Sequence, residues 1–477
     1  MRSPLIGLLA IFSISCNKLV QINPPANSIT TSQVFDDSAD AASAVAGMYT
    51  QISNNSTNIL FGNGGISMLS GSSADELLIF GSYFGGNGND MMYNQILAQQ
   101  DGGFIDSYFW SPAYTLMYQA NSIIAGVNAS TGIPAATKAE FTGEALFFRA
   151  FLNFYLVNLF GPVPIITSTD YKINAAMARS PTAQVYQQII GDLLTAQGLL
   201  AADYSAGGGE RIRANKWAAT ALLARAYLYD QKWDSAELEA SNIINNASMF
   251  ALNPDLNSVF LKDNTEAILQ WNDNTAYQPF NSLAEGYFII PYNNSTNPNV
   301  YLNQQLLNAF EPGDLREADW VDSTTYQGTV YYYPFKYKVG PAQSSPNAPA
   351  TEYYMVLRLA EQYLIRAEAR VQQNTNLAGA ITDLNILRER ANLPDLAFSL
   401  PQRQILSAVM QERRIELFAE WGNRWLDLKR TGAIDSIMTI ATPLKGGGST
   451  WNSYQQLYPI PYSEMQESPN FTQNAGY

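Results

Sequence analysis

Apolar residues recur every three to four positions in two long blocks of this chain and lose that spacing in the block between them. Near the start, "DSADAASAVAGMYTQIS" (37–53) and "SPAYTLMYQANSIIAGVN" (111–128) keep the spacing, which predicts two helices. Thr137 and Glu140 stand three apart ahead of "ALFFRAFLNFYLVNLF", a capping-box pattern before a very apolar helix. Gly161 and Pro162 then stop that helix, glycine just past its end and proline after it. Ser180-Pro181 opens another, with proline in the first turn. In "KWAATALLARAYLYDQKW" and its continuation, Leu223, Ala224 and Tyr227 are followed by Ala236 and Ala240. This is the small-and-large spacing of a tetratricopeptide hairpin, in which small residues let two helices approach closely. "YLIRAEARVQQ" and "AGAITDLNILRERA" make a second, looser pair.

The middle, 246–352, is rich in Asn, Pro, Tyr and Trp and carries short β-like runs such as "EAILQW" and "TVYYYPFKYKV". Residues 62–103 have a similar texture, glycine-rich and aromatic in "GSYFGGNGNDMMYNQ". The fold class expected is therefore mainly α. Tetratricopeptide-like hairpins form a single compact body, onto which long irregular loops and small β-elements are built. The expected division is an N-terminal helical part (16–245), a loop- and β-rich middle (246–352) and a C-terminal helical part (353–477).

The ends add an address. Arg2 precedes an apolar run from Leu5 to Ile14, and the small Ser13 and Ser15 stand before Cys16, the one cysteine among 477 residues. The run falls short of the ~20 residues that cross a bilayer. It resembles a bacterial lipoprotein signal, which implies that 1–15 are removed and that Cys16 carries the lipid of the mature chain.

Composition narrows the chemistry. With 27 basic residues and a net charge of −14, nucleic acid is not an expected partner, since phosphate contacts need clustered Lys and Arg. Only 14% of residues are charged, well below the usual quarter or so. Amide and hydroxyl side chains and 28 tyrosines stand in their place, a surface suited to neutral oligomers. The absence of histidine excludes His-based triads and His-ligated metals, and no cysteine follows Cys16 to act as a nucleophile. No phosphate-binding glycine motif is present, and no cofactor or metal is expected.

Four blocks together resemble the SusD/RagB family, lipoproteins of Bacteroidota outer membranes that capture nutrients for an uptake channel. They are "GEALFFRAFLNFYLVNLFGPVPII" (143–166), "MVLRLAEQYLIRAEA" (355–369), "QERRIELFAEWGNRWLDLKRTG" (411–432) and the ending "YPIPYSEMQESPNFTQNAGY" (458–477). The resemblance implies an outer-membrane lipoprotein that binds an oligosaccharide and delivers it to a SusC-like TonB-dependent transporter. It also allows a peptide as ligand.

Glu412, Glu416 and Glu420 lie four apart on one helix face. A glycoside hydrolase needs two carboxylates, but Arg413, Arg414, Arg424 and Arg430 crowd these, so Glu412, Arg413, Glu416 and Arg424 are expected to form a structural ion network in a protein that is not an enzyme. In "SSADELLIFGSYF" (72–84), Asp75 either accepts sugar hydroxyls beside Tyr83 and Phe84 or bonds to the protein itself. Trp110 reads as core. Trp271, Tyr277, Phe280, Tyr287, Trp320 and Tyr326 lie in the irregular middle and are candidates to stack on a ligand, with Asn272 and Asp273 as polar partners.

Overall fold

A computed structural model describes residues 34–53, 61–272 and 281–477. Ten helices give the frame: α1 (Ser38–Ser53), α2 (Ser111–Ala129), α3 (Ala135–Phe160), α4 (Thr182–Leu199), α5 (Lys216–Tyr229), α6 (Trp233–Ile244), α7 (Leu359–Gln373), α8 (Leu377–Arg390), α9 (Gln402–Glu416) and α10 (Asn423–Arg430). From α2 to α8 each packs on the next, so the helices form one continuous array in which α5–α6 and α7–α8 are the two hairpins. In α5–α6, Ala224, Ala236 and Ala240 are fully buried, and their methyl-sized side chains set the close approach.

Helix α3 is apolar on all sides and is buried on all sides, with every residue from Gly143 to Val157 out of solvent. It begins at Ala135, after Pro134, so Thr137 sits inside the helix and the capping box is not made. The two charges of that buried stretch are neutralised within the core. Glu144 pairs with Arg213 and accepts the Tyr49 hydroxyl hydrogen bond, and Arg149 forms a two-pronged pair with Asp192 at 2.7 and 2.8 Å.

The strands come in three two-stranded antiparallel ribbons: β1 (Leu77–Ile79) with β3 (Val300–Leu302), β2 (Ala267–Trp271) with β6 (Tyr354–Arg358), and β4 (Val321–Tyr326) with β5 (Thr329–Pro334). The first ties the glycine-rich N-terminal loop to the middle of the chain, with Leu77 opposite Leu302. The second is buried on both faces and lies against α5 and α7. The third is a hairpin turned by Gln327-Gly328, both at positive φ (49° and 80°), the mirror-image turn whose twist matches the strands. The architecture is the mainly helical body with small β-elements that the sequence predicts. Among the described residues no helix is long and apolar enough to cross a membrane.

An aromatic strip over a buried ionic floor

Phe80 and Tyr83 sit in the turn that leaves β1, where the Tyr83 N–H donates to the Phe80 carbonyl. Around them rings gather from three parts of the chain. Phe80 meets Tyr326 and Tyr331 of the hairpin edge-on, with centroids 5.7 and 5.4 Å apart, and Tyr331 meets Tyr301 of β3 at 5.1 Å. Tyr83 packs on Phe84 at 4.9 Å and on Phe288 at 6.2 Å, and Phe288 on Tyr287 at 5.6 Å. Tyr83 is 37% exposed, and Phe80, Tyr287, Phe288, Tyr301, Tyr326 and Tyr331 are half-buried. Together they form an uncharged strip whose rings are held by their edges while part of each surface stays open.

One residue ties this strip together. The Asn299 side-chain amide donates to the Phe288 carbonyl at 2.7 Å, and the Asn299 backbone carbonyl accepts the Phe80 N–H at 2.9 Å. The Asn-rich loop before it is pinned to the hairpin, because the Thr325 N–H donates to the Asn294 carbonyl and the Thr324 hydroxyl to the Thr296 carbonyl. Exposed Ser82, Asn294, Thr325 and Gln327 therefore supply hydroxyls and amides at the margin of the rings.

The helix that carries Tyr287 and Phe288 adjoins, through Glu285, a dense set of buried charges. Glu416 accepts hydrogen bonds from Arg316 at 3.0 Å, Arg358 at 2.6 Å and Arg390. Arg358 also reaches Glu266 and Glu420, and Lys336 reaches Glu420. Burial by itself would raise the Glu416 carboxyl, but Arg390, Arg358 and Arg316 hold it well below the usual carboxylate range. Glu412 pairs with Arg316, and burial pushes its carboxyl up. The expected four-residue network divides: Arg413 pairs with Asp427 instead, and Arg424 with Asp75. Glu412 and Glu416 are both buried under these guanidinium groups, so neither faces a cleft where a glycosidic bond could enter.

Several expected ligand contacts require correction. Asp75 is buried and gripped by Arg424 at 2.7 and 2.9 Å and by Arg414 at 2.8 Å. Burial opposes its ionisation, but the Arg424 hydrogen bonds and the charges of Arg424 and Arg414 keep its carboxyl below the usual range, and its oxygens are not free for sugar hydroxyls. Trp271 is 1% exposed, stacked on Phe148 with a 7° interplanar angle and wedged against Phe151 and Trp421. Trp320 is fully buried, donates to the Leu256 carbonyl at 2.9 Å and lies under the Lys336 ammonium. Both are core. Phe84 is buried beside the strip and supports Tyr83 rather than facing solvent. Asn272 is half-buried at the end of β2. Asp273, Tyr277, Phe280 and Cys16 lie outside the described residues.

Two further carboxyls close the floor. Burial raises Glu76 to about 8, helped by the neighbouring Asp75 charge, and Glu76 Oε1 has no partner among the described residues. Burial likewise raises Glu285, at the root of the helix that carries Tyr287 and Phe288, to about 8. Lys336 is lowered by burial to about 8, and Lys429 and Lys445 to about 7. Carboxyls raised on folding stabilise fully below their ordinary pKa, about 4.5, and that stability is lost as pH climbs towards 8. Lysines depressed on folding act in reverse, and their stability is present above about 10.5 and lost as pH falls towards 7. The melting temperature is therefore expected to fall from pH 5 to 7 and to rise from pH 8 to 10. Thermal melts across that range check it, and Glu76→Gln, which mimics the protonated acid, should flatten the fall.

A model described as "SusD family" matches residues 303–477, which contain α7 to α10, Arg316, Arg358, Arg390 and Glu416 of the ionic floor, and the chain's ending. A second, described as "Starch-binding associating with outer membrane", matches 65–228. Over both stretches the chain is similar to the SusD/RagB family. The SusD-like protein P2 of Formosa agariphila is 25% identical over 98% of this chain and 98% of its own. The starch-binding protein SusD of Bacteroides thetaiotaomicron is 34% identical over 26% of this chain and 21% of its own. A crystal structure of a SusD superfamily protein from Bacteroides vulgatus shares the fold, with a TM-score of 0.77 at 21% identity over 93% of this chain and all of that one.

Within this SusD-type body, sequence reasoning reached Tyr83, Tyr287 and Tyr326 of the strip and missed Phe80, Phe288, Tyr301 and Tyr331. The alternation in "TVYYYPFKYKV" gave the available signal, since a two-residue turn at Gln327-Gly328 puts Tyr326 and Tyr331 on one face of the hairpin.

Proposed function

We propose that this protein is a lipid-anchored outer-membrane lipoprotein that holds a neutral oligosaccharide on the strip formed by Phe80, Tyr83, Tyr287, Phe288, Tyr326 and Tyr331. It releases the saccharide uncleaved to a SusC-like TonB-dependent transporter, with Cys16 as the site of the lipid. The observation that carries this reading is the strip itself, an uncharged run of part-exposed rings with amides and hydroxyls at its margin. A pyranose ring has an apolar C–H face that a flat aromatic covers, while its hydroxyls need donors and acceptors around that face. The second family model's description and the name of the Bacteroides thetaiotaomicron relative, both of starch binding, support a saccharide as the ligand class. An open strip leaves much of the ligand in water, so affinities in the micromolar to millimolar range are expected, about −4 to −8 kcal/mol. Weak binding suits a protein that must pass its cargo on.

Calorimetry against maltoheptaose, laminarihexaose, cellohexaose and a mixed peptide pool tests this. At least one saccharide should bind, and Tyr83→Ala should weaken it by roughly 1 to 3 kcal/mol, by analogy with a base stacked on an aromatic ring. Binding to the peptide pool alone would change the ligand class.

A further inference from the structure

The chain's ending, 458–477, builds a second concave surface. The helix Ala98–Ile105 packs against the helix Tyr462–Glu467, and a cavity of about 720 Å³ opens between its first turn and the tail. Leu97, Gln99, Gln100, Tyr454, Tyr462 and Tyr477 line it. None of these side chains is charged. Tyr462 is 43% exposed and Leu97 57%, and Gln99 and Gln100 are exposed as well. Among the described residues, the Tyr454 and Tyr462 hydroxyls and the Gln99 and Gln100 amides have no hydrogen-bond partner, so all four are free to bind something else.

The cavity is built rather than accidental. Tyr477 crosses Tyr454 edge-on at 5.0 Å and donates its hydroxyl hydrogen to the Leu457 carbonyl at 2.8 Å. Gly476 lies so close under Tyr454 that a Cβ there would stand 2.3 Å from the ring. Gln473 fixes the segment before Tyr462 by accepting the Ile460 N–H and donating to the Ile460 carbonyl, each at 2.8 Å. The two free tyrosine rings are thus held by the tail, while their hydroxyl ends stay open.

We propose that this cleft is a second binding site for a neutral saccharide, separate from the Tyr83 strip, with Tyr454 and Tyr462 as platforms and Gln99 and Gln100 bonding to ring hydroxyls. The ligand class rests on the reading of the strip as a saccharide site. A concave, uncharged surface with free amides and phenols fits a sugar unit better than the broad contact of a protein partner.

Calorimetry on the full chain with maltoheptaose, laminarihexaose and cellohexaose separates the two sites through Tyr83→Ala, Tyr462→Ala and the double variant. Tyr462 is exposed, so its substitution leaves the fold intact, and melting temperatures verify it. Tyr83→Ala is expected to keep one class of saccharide binding, and adding Tyr462→Ala should weaken that class on the order of 10-fold or more. If Tyr83→Ala alone abolishes all binding, or if adding Tyr462→Ala leaves the binding of the Tyr83→Ala variant unchanged, the second site is overturned and the strip reading stands. If Tyr462→Ala alone removes all binding, the second site holds and the strip reading falls. A wild-type protein that binds none of the three at millimolar concentration overturns both. A Tyr462→Ala chain with unchanged saccharide binding that no longer co-purifies with the transporter assigns the cleft to protein docking and also overturns the proposal.

Discussion

Glu416→Ala is expected to destabilise the protein by about 3 to 5 kcal/mol, the cost of leaving buried charges without a partner. Three guanidinium groups converge on this one carboxylate, from Arg316 beside the β4–β5 hairpin, Arg358 at the end of β6 and Arg390 at the end of α8. Arg390 keeps only Glu266 when Glu416 is removed, and Arg358 must then balance on Glu266 and Glu420. Glu416→Gln should behave almost as badly, because an amide keeps the shape but not the charge. Thermal or chemical unfolding measures both. A near-normal melting temperature in the alanine variant would mean that these contacts are not a structural network. The floor is also where the backbone is held in the left-handed region, at Ala419, Trp421 and Gly422, with φ of 53°, 51° and 66°. For the two non-glycine residues this conformation costs of order 1 to 3 kcal/mol each and persists only where surroundings enforce it. The Trp421 N–H donates to Ser67 Oγ at 2.9 Å and its indole N–H to the Met355 carbonyl at 2.8 Å, which are two of those constraints.

Trp271→Ala should cost a further about 3 to 5 kcal/mol through the cavity it leaves. The ring is sandwiched among Phe148, Phe151 and Trp421, at the point where β2 meets the array of helices. Trp271→Phe should cost much less, since the indole Nε1 is buried without a partner among the described residues and its loss removes an unpaired polar atom. Unfolding curves for both variants, beside saccharide binding at temperatures where each is folded, separate a packing role from a binding one. Stability unchanged in Trp271→Ala, with binding lost, would restore the residue to the ligand site.

That reversal shows where the sequence can be read and where it cannot. The helical array is legible because apolar spacing and small residues such as Ala224, Ala236 and Ala240 act locally, and local pattern is what a sequence displays. The Asn, Pro and Tyr around them make Trp271 and Trp320 look like loop residues, although Trp271 ends the β-like run "EAILQW". In fact "AILQW" is a short, continuously buried strand, and such runs signal core rather than loop. Glu416 showed its burden of charge in the surrounding arginines, but Arg316, Arg358 and Arg390 come from other elements, and nothing in a helix's own spacing names them. The same holds for the strip. Phe80 and Tyr301 both reach Tyr331 because the β1–β3 ribbon joins strands far apart in the chain, while Tyr83 and Tyr326 could be picked out as aromatics in glycine-rich or hairpin segments.

The most direct test of the central claim is a crystal structure of the protein with the best-binding oligosaccharide of the calorimetric panel. The account predicts a sugar ring lying on Tyr83 or on the Tyr326–Tyr331 face, with hydroxyls within hydrogen-bond distance of the neighbouring amides. A saccharide bound elsewhere, with every ring of that strip bare at saturating ligand, would contradict it.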